Sequence, residues 1–178
     1  MTRSITELGL PVSIVGSDVN GFFFNAASES IIVTIGDNRA STPRRVFVRL
    51  IGETGYREIG KPEALGEFIQ VATSEAASFA FLLFRTPAPG SRRTVYSASL
   101  PEGRLTACPP PTDRTQSKEI WVSTLLAASA DGTFLYVITG SRPRPEPTTG
   151  YSIDYSLCRM VVATGEVDVV KVLETPFA

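Results

Sequence analysis

The sequence contains no histidine, and this absence excludes several common kinds of catalytic site. Histidine is the usual general base near neutral pH and the commonest metal ligand. A Ser-His-Asp triad, a Cys-His dyad or a His-ligated metal therefore cannot be built from these 178 residues alone. The chain also lacks a Gly-x-Ser-x-Gly nucleophile elbow and a complete Gly-x-x-x-x-Gly-Lys-Ser/Thr phosphate loop, since Pro62 follows the Gly55–Lys61 spacing. We therefore expect no catalytic residue, no metal site and no cofactor.

Cysteine and long apolar runs are scarce as well. Cys108 and Cys158 are the two cysteines, and two thiols do not make a disulfide framework in a domain of this size, although they could pair. We interpret both as buried thiols. The densest apolar run, Phe79–Phe84, is too short to span a bilayer, and the first residues lack the apolar core of a signal peptide. The sequence therefore predicts a cytoplasmic protein with no membrane segment.

The charges nearly cancel, with 17 basic and 18 acidic residues and a net charge of −1. A chain that binds nucleic acid over a broad surface is usually strongly basic, so we expect no nucleic-acid partner. The length fits a single domain over residues 1–178.

Three stretches of the chain resemble one another, and this is the strongest pattern in the sequence. Phe22–Val33, Phe68–Phe81 and Leu125–Val137 each run from apolar residues through small ones to a serine and an acidic turn, and then return to apolar residues. This order predicts a strand, a tight turn and a returning strand. The turn serines, Ser28, Ser74 and Ser129, are 46 and 55 residues apart.

Each stretch continues with a loop that carries proline and arginine, a third strand, a turn with glycine and a fourth strand. We expect Gly55, Gly103 and Gly165 to supply the positive φ of these turns. Four short strands per period of about 50 residues are typical of a propeller blade. The sequence predicts an all-β, propeller-like domain of about three four-stranded antiparallel β-meander units, a partial or half propeller. The units are approximately 21–60, 66–108 and 120–174, after an extension at 1–20 with one extra strand at Pro11–Val15.

Two other folds remain open from the sequence alone. Leu65, Phe68, Ile69 and Ala72 have helical spacing, and Ser117 could cap a second helix. These signals predict an α+β fold with helices near 62–76 and 118–130. The β-branched and aromatic residues Ile120, Trp121 and Val122 favour a strand there instead. A β-sandwich is the third alternative.

Specific residues add a resemblance to known β-propeller families. Ala128–Val137 resembles the Ser-Pro-Asp-Gly turn and following strand of TolB-like, WD-repeat-like and YVTN-type blades, with Ala130 in place of the proline. Arg159–Val167 is similar to the hairpin between the third and fourth strands of such blades, and Arg104–Thr106 to a fourth strand. The match is sharp in the third unit, whereas the first two lack the Asp-Gly pair. The resemblance implies a propeller fold, and a fold does not specify a function.

Three blades are fewer than a closed ring requires, since propellers typically have four to eight. Two copies could form a homodimer that completes a six-bladed ring, or the chain could be a segment of a longer propeller.

The placement of arginine gives the candidate binding site. Arginine outnumbers lysine 14 to 3, and its planar fork binds carboxylate or phosphate with two hydrogen bonds. Eleven of the 17 basic residues fall in the loops that a propeller gathers on one face, while the tight turns of the other face are mainly acidic. The candidate ligand-binding residues are Arg44, Arg45, Arg92, Arg93, Arg142 and Arg144.

The sequence thus predicts a non-catalytic binding or scaffold module that presents an arginine-rich loop face to a protein partner or an anionic small ligand. The alternative is an accessory domain or fragment of a larger hydrolase, because TolB-like propellers gate the active site of prolyl-oligopeptidase-type enzymes. A carbohydrate-binding propeller is disfavoured, since such sites need clustered aromatic residues and Trp121 is the one tryptophan.

Overall fold

Twelve β-strands make up most of the computed structural model, which describes residues 19–36, 44–60, 65–86, 93–112, 118–143 and 153–174. The extra strand predicted at Pro11–Val15 lies outside the described residues. The strands are β1 Val19–Asn25, β2 Ser30–Ile35, β3 Arg45–Leu50, β4 Arg57–Ile59, β5 Glu67–Thr73, β6 Phe79–Arg85, β7 Arg93–Ser99, β8 Leu105–Ala107, β9 Lys118–Ala128, β10 Phe134–Pro143, β11 Asp154–Val161 and β12 Val167–Leu173.

The strands form three antiparallel sheets, each a meander of four consecutive strands. Sheet 1 has the order β1-β2-β3-β4, sheet 2 the order β5-β6-β7-β8 and sheet 3 the order β9-β10-β11-β12. The all-β prediction of three four-stranded units is therefore confirmed. The outermost strands β4 and β8 have three residues each, whereas β12 has seven.

The alternative α+β fold is wrong for the described parts of both predicted helices. The segment near 62–76 contains β5, and the segment near 118–130 contains β9. Phe68 and Ala72 are both buried, but Phe68 packs with residues of sheet 1 and Ala72 with residues of sheet 3. A register shift between Phe68 and Gln70 puts them on opposite faces of β5, so the single face that the helical spacing required does not form.

The turn glycines were predicted correctly at two of three positions. Gly103 and Gly165 have φ of 69° and 74°, the left-handed region in which a side chain is strained. In the first unit the prediction of Gly55 is wrong: Gly52 takes the positive φ, at 92°, because the tight turn comes directly after β3.

The core lies in the two seams between consecutive sheets. Each sheet has a front face, directed to the sheet that follows it in sequence, and a back face, directed to the sheet that precedes it. The front face of sheet 1 packs on the back face of sheet 2, and the front face of sheet 2 packs on the back face of sheet 3. Residues fully buried in the first seam are Ile32, Val48, Leu82 and Phe84, and those in the second are Phe81, Leu83, Leu135 and Met160.

Hydrogen bonds between the tight turns join the sheets at one end. The buried amide of Asn25 in sheet 1 donates to the carbonyl oxygens of Ser74, at 2.7 Å, and Ala77, at 3.0 Å, in sheet 2. The backbone N–H of Ala76 in turn donates to the carbonyl of Ala130 in sheet 3, at 2.7 Å. These bonds link the tight turns of consecutive sheets. Within the described residues, no helix has the length and apolarity needed to cross a membrane.

Candidate functional site

Four of the six candidate arginines belong to the described chain, and the structure places them on different sheets. Arg44 and Arg45 are at the start of β3, Arg93 begins β7, and Arg142 is near the end of β10. Arg92 and Arg144 lie outside the described residues. The proposed arginine face itself therefore stays a prediction, and each described arginine is characterised by its own contacts.

Arg45 is held by a carboxylate and an aromatic ring. Its Nε and Nη2 donate to the two oxygens of Glu58, at 2.6 and 2.5 Å. Its guanidinium lies 5.0 Å from the ring centre of Phe47. A two-point ion pair of this kind compensates the charge and fixes the side chain on the back face of sheet 1.

Arg142 and two neighbours at the same strand ends are also paired with carboxylates. Arg142 Nε donates to Glu119 Oε2 at 2.6 Å, across β10 and β9. Arg85 forms an ion pair with Glu67, and Lys118 one with Asp154 at 3.1 Å. The positive charge predicted from the loop arginines is therefore partly cancelled by acidic residues on adjacent strands.

Arg93 differs from these residues in its partner. Its Nη1 donates to the backbone carbonyl oxygen of Ser123 in β9 and approaches the Ser123 hydroxyl at 3.4 Å. Both groups are neutral, so these contacts orient the guanidinium without cancelling its charge. Arg85 is its register partner on β6, which places two arginines side by side, and Arg85 is the one that pairs with Glu67. Like charges opposite each other are unfavourable in a sheet unless an anion lies near them.

A cleft of about 500 Å³ opens beside Arg93, in the seam between sheets 2 and 3. Its volume is in the range of small-ligand and peptide-side-chain pockets. The segment Cys108–Thr112, which contains three consecutive prolines, lines one wall, and Lys118–Val122 lines another. Arg93 brings positive charge to the cleft, while Lys118 is paired with Asp154 and the carboxylate of Glu119 with Arg142.

The cysteine in this cleft is unsuited to nucleophilic chemistry. Cys108 and Cys158 are both free and buried, as the sequence predicts. Burial raises the pKa of the Cys108 thiol to about 11, despite hydrogen bonds from Ser97 that act in the opposite direction. The thiolate is the reactive form, and at neutral pH it is scarcely populated at such a pKa. No group of three or more metal-binding side chains occurs among the residues that the structure describes.

A smaller cavity of about 330 Å³ lies beside the tight turn of sheet 1, lined by Arg49, Tyr56 and Pro101 among others. The Arg49 guanidinium is 4.8 Å from the ring centre of Tyr56, whose pKa is raised by burial. Arg57 bridges the first seam here by donating to the carbonyl of Glu102 at 3.0 Å. Arg57 thus joins sheets 1 and 2, and Arg49 packs on a ring of its own sheet, which makes the cavity a weaker candidate than the Arg93 cleft.

The acidic partners are the part of the site that the sequence did not indicate. Glu58 is 13 residues from Arg45, and Glu119 is 23 residues from Arg142. They come together only through the register of the paired strands. That register cannot be predicted from the positions of charged residues in the loops. Asp154 forms the exposed pair with Lys118 at the start of β11.

The comparisons with known proteins bear on the fold. No protein-family model matches the chain, and no curated protein matches it. Among solved structures, the crystal structure of TolB from Acinetobacter baumannii is similar, with a TM-score of 0.55 at 12% sequence identity. The match covers 88% of this chain and 33% of the TolB chain, so the chain spans about a third of that protein's length. The chain thus has a propeller-like fold of three blades, each formed by one four-stranded sheet.

Proposed function

We propose that this chain is a non-catalytic binding module that accepts an acidic group of a protein partner in the Arg93 cleft. The observation that carries the proposal is the guanidinium of Arg93, held by neutral Ser123 beside a cleft of about 500 Å³. A carboxylate in that cleft would form the two-point pair that Arg45 and Arg142 already make with glutamates. Loop ends on a rigid β-scaffold are a common place for such sites.

The arginine-rich loop face of the sequence-based hypothesis would extend this site. Two of its candidate members, Arg92 and Arg144, lie outside the described residues. Arg44 is a further candidate member, and it is among the described residues. Gly36 allows the Arg44 side chain to pack closely, since a Cβ at Gly36 would lie 2.7 Å from Arg44 Cγ. We expect these residues to add long-range attraction for an acidic surface. The accessory-domain hypothesis stays open as the alternative, and it requires a catalytic segment outside these residues.

A labelled hexaglutamate peptide tests the proposal directly, with fluorescence anisotropy as the readout. Charge-assisted hydrogen bonds contribute roughly 1.5–3 kcal/mol, so Arg93→Gln is expected to weaken binding at least about tenfold. Arg45→Gln is the matched control, because it removes the same charge at a site that Glu58 already compensates. Added salt should weaken binding to the unaltered protein.

Two further ligands distinguish a protein partner from a small anion. Free glutamate and inorganic phosphate should bind more weakly than the peptide, since they lack the chain that would lie along the proline wall of the cleft. Equal loss in Arg93→Gln and Arg45→Gln would indicate a diffuse charge effect and contradict the proposal. Tighter binding of phosphate than of peptide would assign the cleft to a small anion instead.

A further inference from the structure

The front face of sheet 3 carries apolar residues at positions that are covered in the other two sheets. Ile32, Phe81 and Tyr136 are each the third residue of the second strand in their sheet. The first two are 0% and 1% exposed, because the following sheet packs on them. Tyr136 is 41% exposed, since no following sheet lies over sheet 3 among the described residues.

The residues around Tyr136 extend this apolar surface across the sheet. Ile138 and Leu157 are register partners on β10 and β11, and both are half-buried. Trp121 is the register partner of Gly140, and its indole lies directly on that glycine: a Cβ at Gly140 would be 2.5 Å from ring carbons. The face therefore combines two aromatic side chains with aliphatic ones, the composition that the two internal seams bury.

At the other end of the molecule, the back face of sheet 1 exposes apolar residues at positions that are covered in sheets 2 and 3. In each sheet an apolar residue of the first strand lies opposite the fourth residue of the second strand. The pairs are Phe22 with Val33, Val71 with Leu82, and Leu125 with Val137. Leu125 is 3% exposed, and Val71 packs against the core of the first seam. Phe22 is 51% exposed, as is Phe24 two residues later on the same face. The middle of this face, at Val33 and Phe47, is already buried, so its open part runs along β1.

We propose that a second copy of this chain covers both ends, with the front face of sheet 3 of one copy packed on the open part of the back face of sheet 1, along β1, of the other. The contact would continue the front-on-back packing of the two internal seams. A two-fold axis forms this contact twice and yields a ring of six sheets, within the four to eight that closed propellers contain. This inference does not depend on the proposed function, because Tyr136 and Phe22, which carry it, do not line the Arg93 cleft, although Trp121 lies beside both surfaces.

Sedimentation velocity of the 178-residue chain over a range of concentrations tests the inference. The account predicts a dimer of twice 19.2 kDa that dissociates on dilution. Tyr136→Lys and Phe22→Asp should each shift the chain to monomer, because each places a charge in both copies of the contact. The matched controls are Val172→Lys and Ile51→Asp, which alter apolar residues that are 66% and 54% exposed elsewhere. Circular dichroism establishes that the variants remain folded.

Mixing the two interface variants separates this arrangement from other dimers. In a mixed dimer both charged substitutions fall in one contact and the second contact is intact, so the mixture should regain dimer that neither variant forms alone. The emission of Trp121 should shift to shorter wavelength on dimerisation, since its surroundings lose water. A chain that is monomeric at every concentration, a dimer unaffected by Phe22→Asp, or a mixture without recovery would each overturn the inference.

Discussion

At the scale of single residues, buried polar side chains connect one sheet to the next. Asn25 has no exposed surface, and its amide nitrogen donates to two carbonyl oxygens in the next turn. Its Oδ1 accepts hydrogen bonds from the backbone N–H and the hydroxyl of Ser28, at 2.9 and 2.7 Å. Both the nitrogen and the oxygen of the amide thus have hydrogen-bond partners, as a buried polar group requires.

Removal of the Asn25 amide should therefore destabilise the fold. Asn25→Ala leaves the buried carbonyl of Ser74 without this donor, at a cost of about 1–3 kcal/mol, whereas the Ala77 carbonyl keeps hydrogen bonds from the Ser74 hydroxyl and the Phe79 N–H. Asn25→Asp should cost at least as much, because a carboxylate would face those carbonyl oxygens. Urea unfolding measures the change, with the exposed Thr106→Ala as control. A loss equal to that of the control would show that the turns do not join the sheets.

The Asp131 turn gives a prediction for pH dependence. Hydrogen bonds from the Ser129 hydroxyl, and then from the Thr133 backbone and hydroxyl, lower the pKa of Asp131 below its ordinary value. A lowered pKa in the folded state means stability that is present above the unfolded pKa of about 4 and is lost as the pH falls through the folded value. In Asp131→Asn the melting temperature should fall less than in the unaltered protein as the pH is lowered through the acid range. An unchanged acid side would contradict this assignment.

At the scale of strands, the sequence predicted the elements well and their side-chain contacts poorly. The third and fourth strands were recognised because glycine turns separate apolar runs, as at Gly103 and Gly165. The helical alternative arose because Phe68 and Ala72 have the spacing of one helix face, whereas the irregularity after Phe68 puts them on opposite faces of β5. The pairs of Arg45 with Glu58 and Arg142 with Glu119 were missed, because cross-strand register depends on where bulges fall. One such irregularity lies between Tyr136 and Val137.

The contact between Trp121 and Gly140 gives a prediction at the same scale. Gly140→Ala would place a methyl group 2.5 Å from the indole, so the ring or the strand must shift. We expect a loss of about 1–3 kcal/mol in unfolding free energy, as in overpacked cores, and a change in tryptophan emission. Gly55→Ala is the control, because its Cβ would meet no atom within 4 Å. Equal effects of the two variants would contradict the packing described for β9 and β10.

At the scale of the whole molecule, the two buried thiols report opening of the second seam. Cys108 and Cys158 belong to the same core, built from sheets 2 and 3. Burial raises the pKa of both thiols, to about 11 for Cys108. We expect Cys158 to react with a thiol reagent at mildly alkaline pH only as fast as the protein opens, and Cys108, which lines the Arg93 cleft, to react faster. Rapid labelling of Cys158 in the absence of urea would contradict a closed seam.

The central claim is that the seam between sheets 2 and 3 binds acidic groups through Arg93. Hydrogen–deuterium exchange with and without the hexaglutamate peptide tests it across the whole chain at once. The account predicts slower exchange in Arg93–Val95 and in Lys118–Ser123, the two sides of the cleft, and loss of that protection in Arg93→Gln. Protection centred on β3 and β4 around Arg45, or a pattern that Arg93→Gln leaves unchanged, would contradict it.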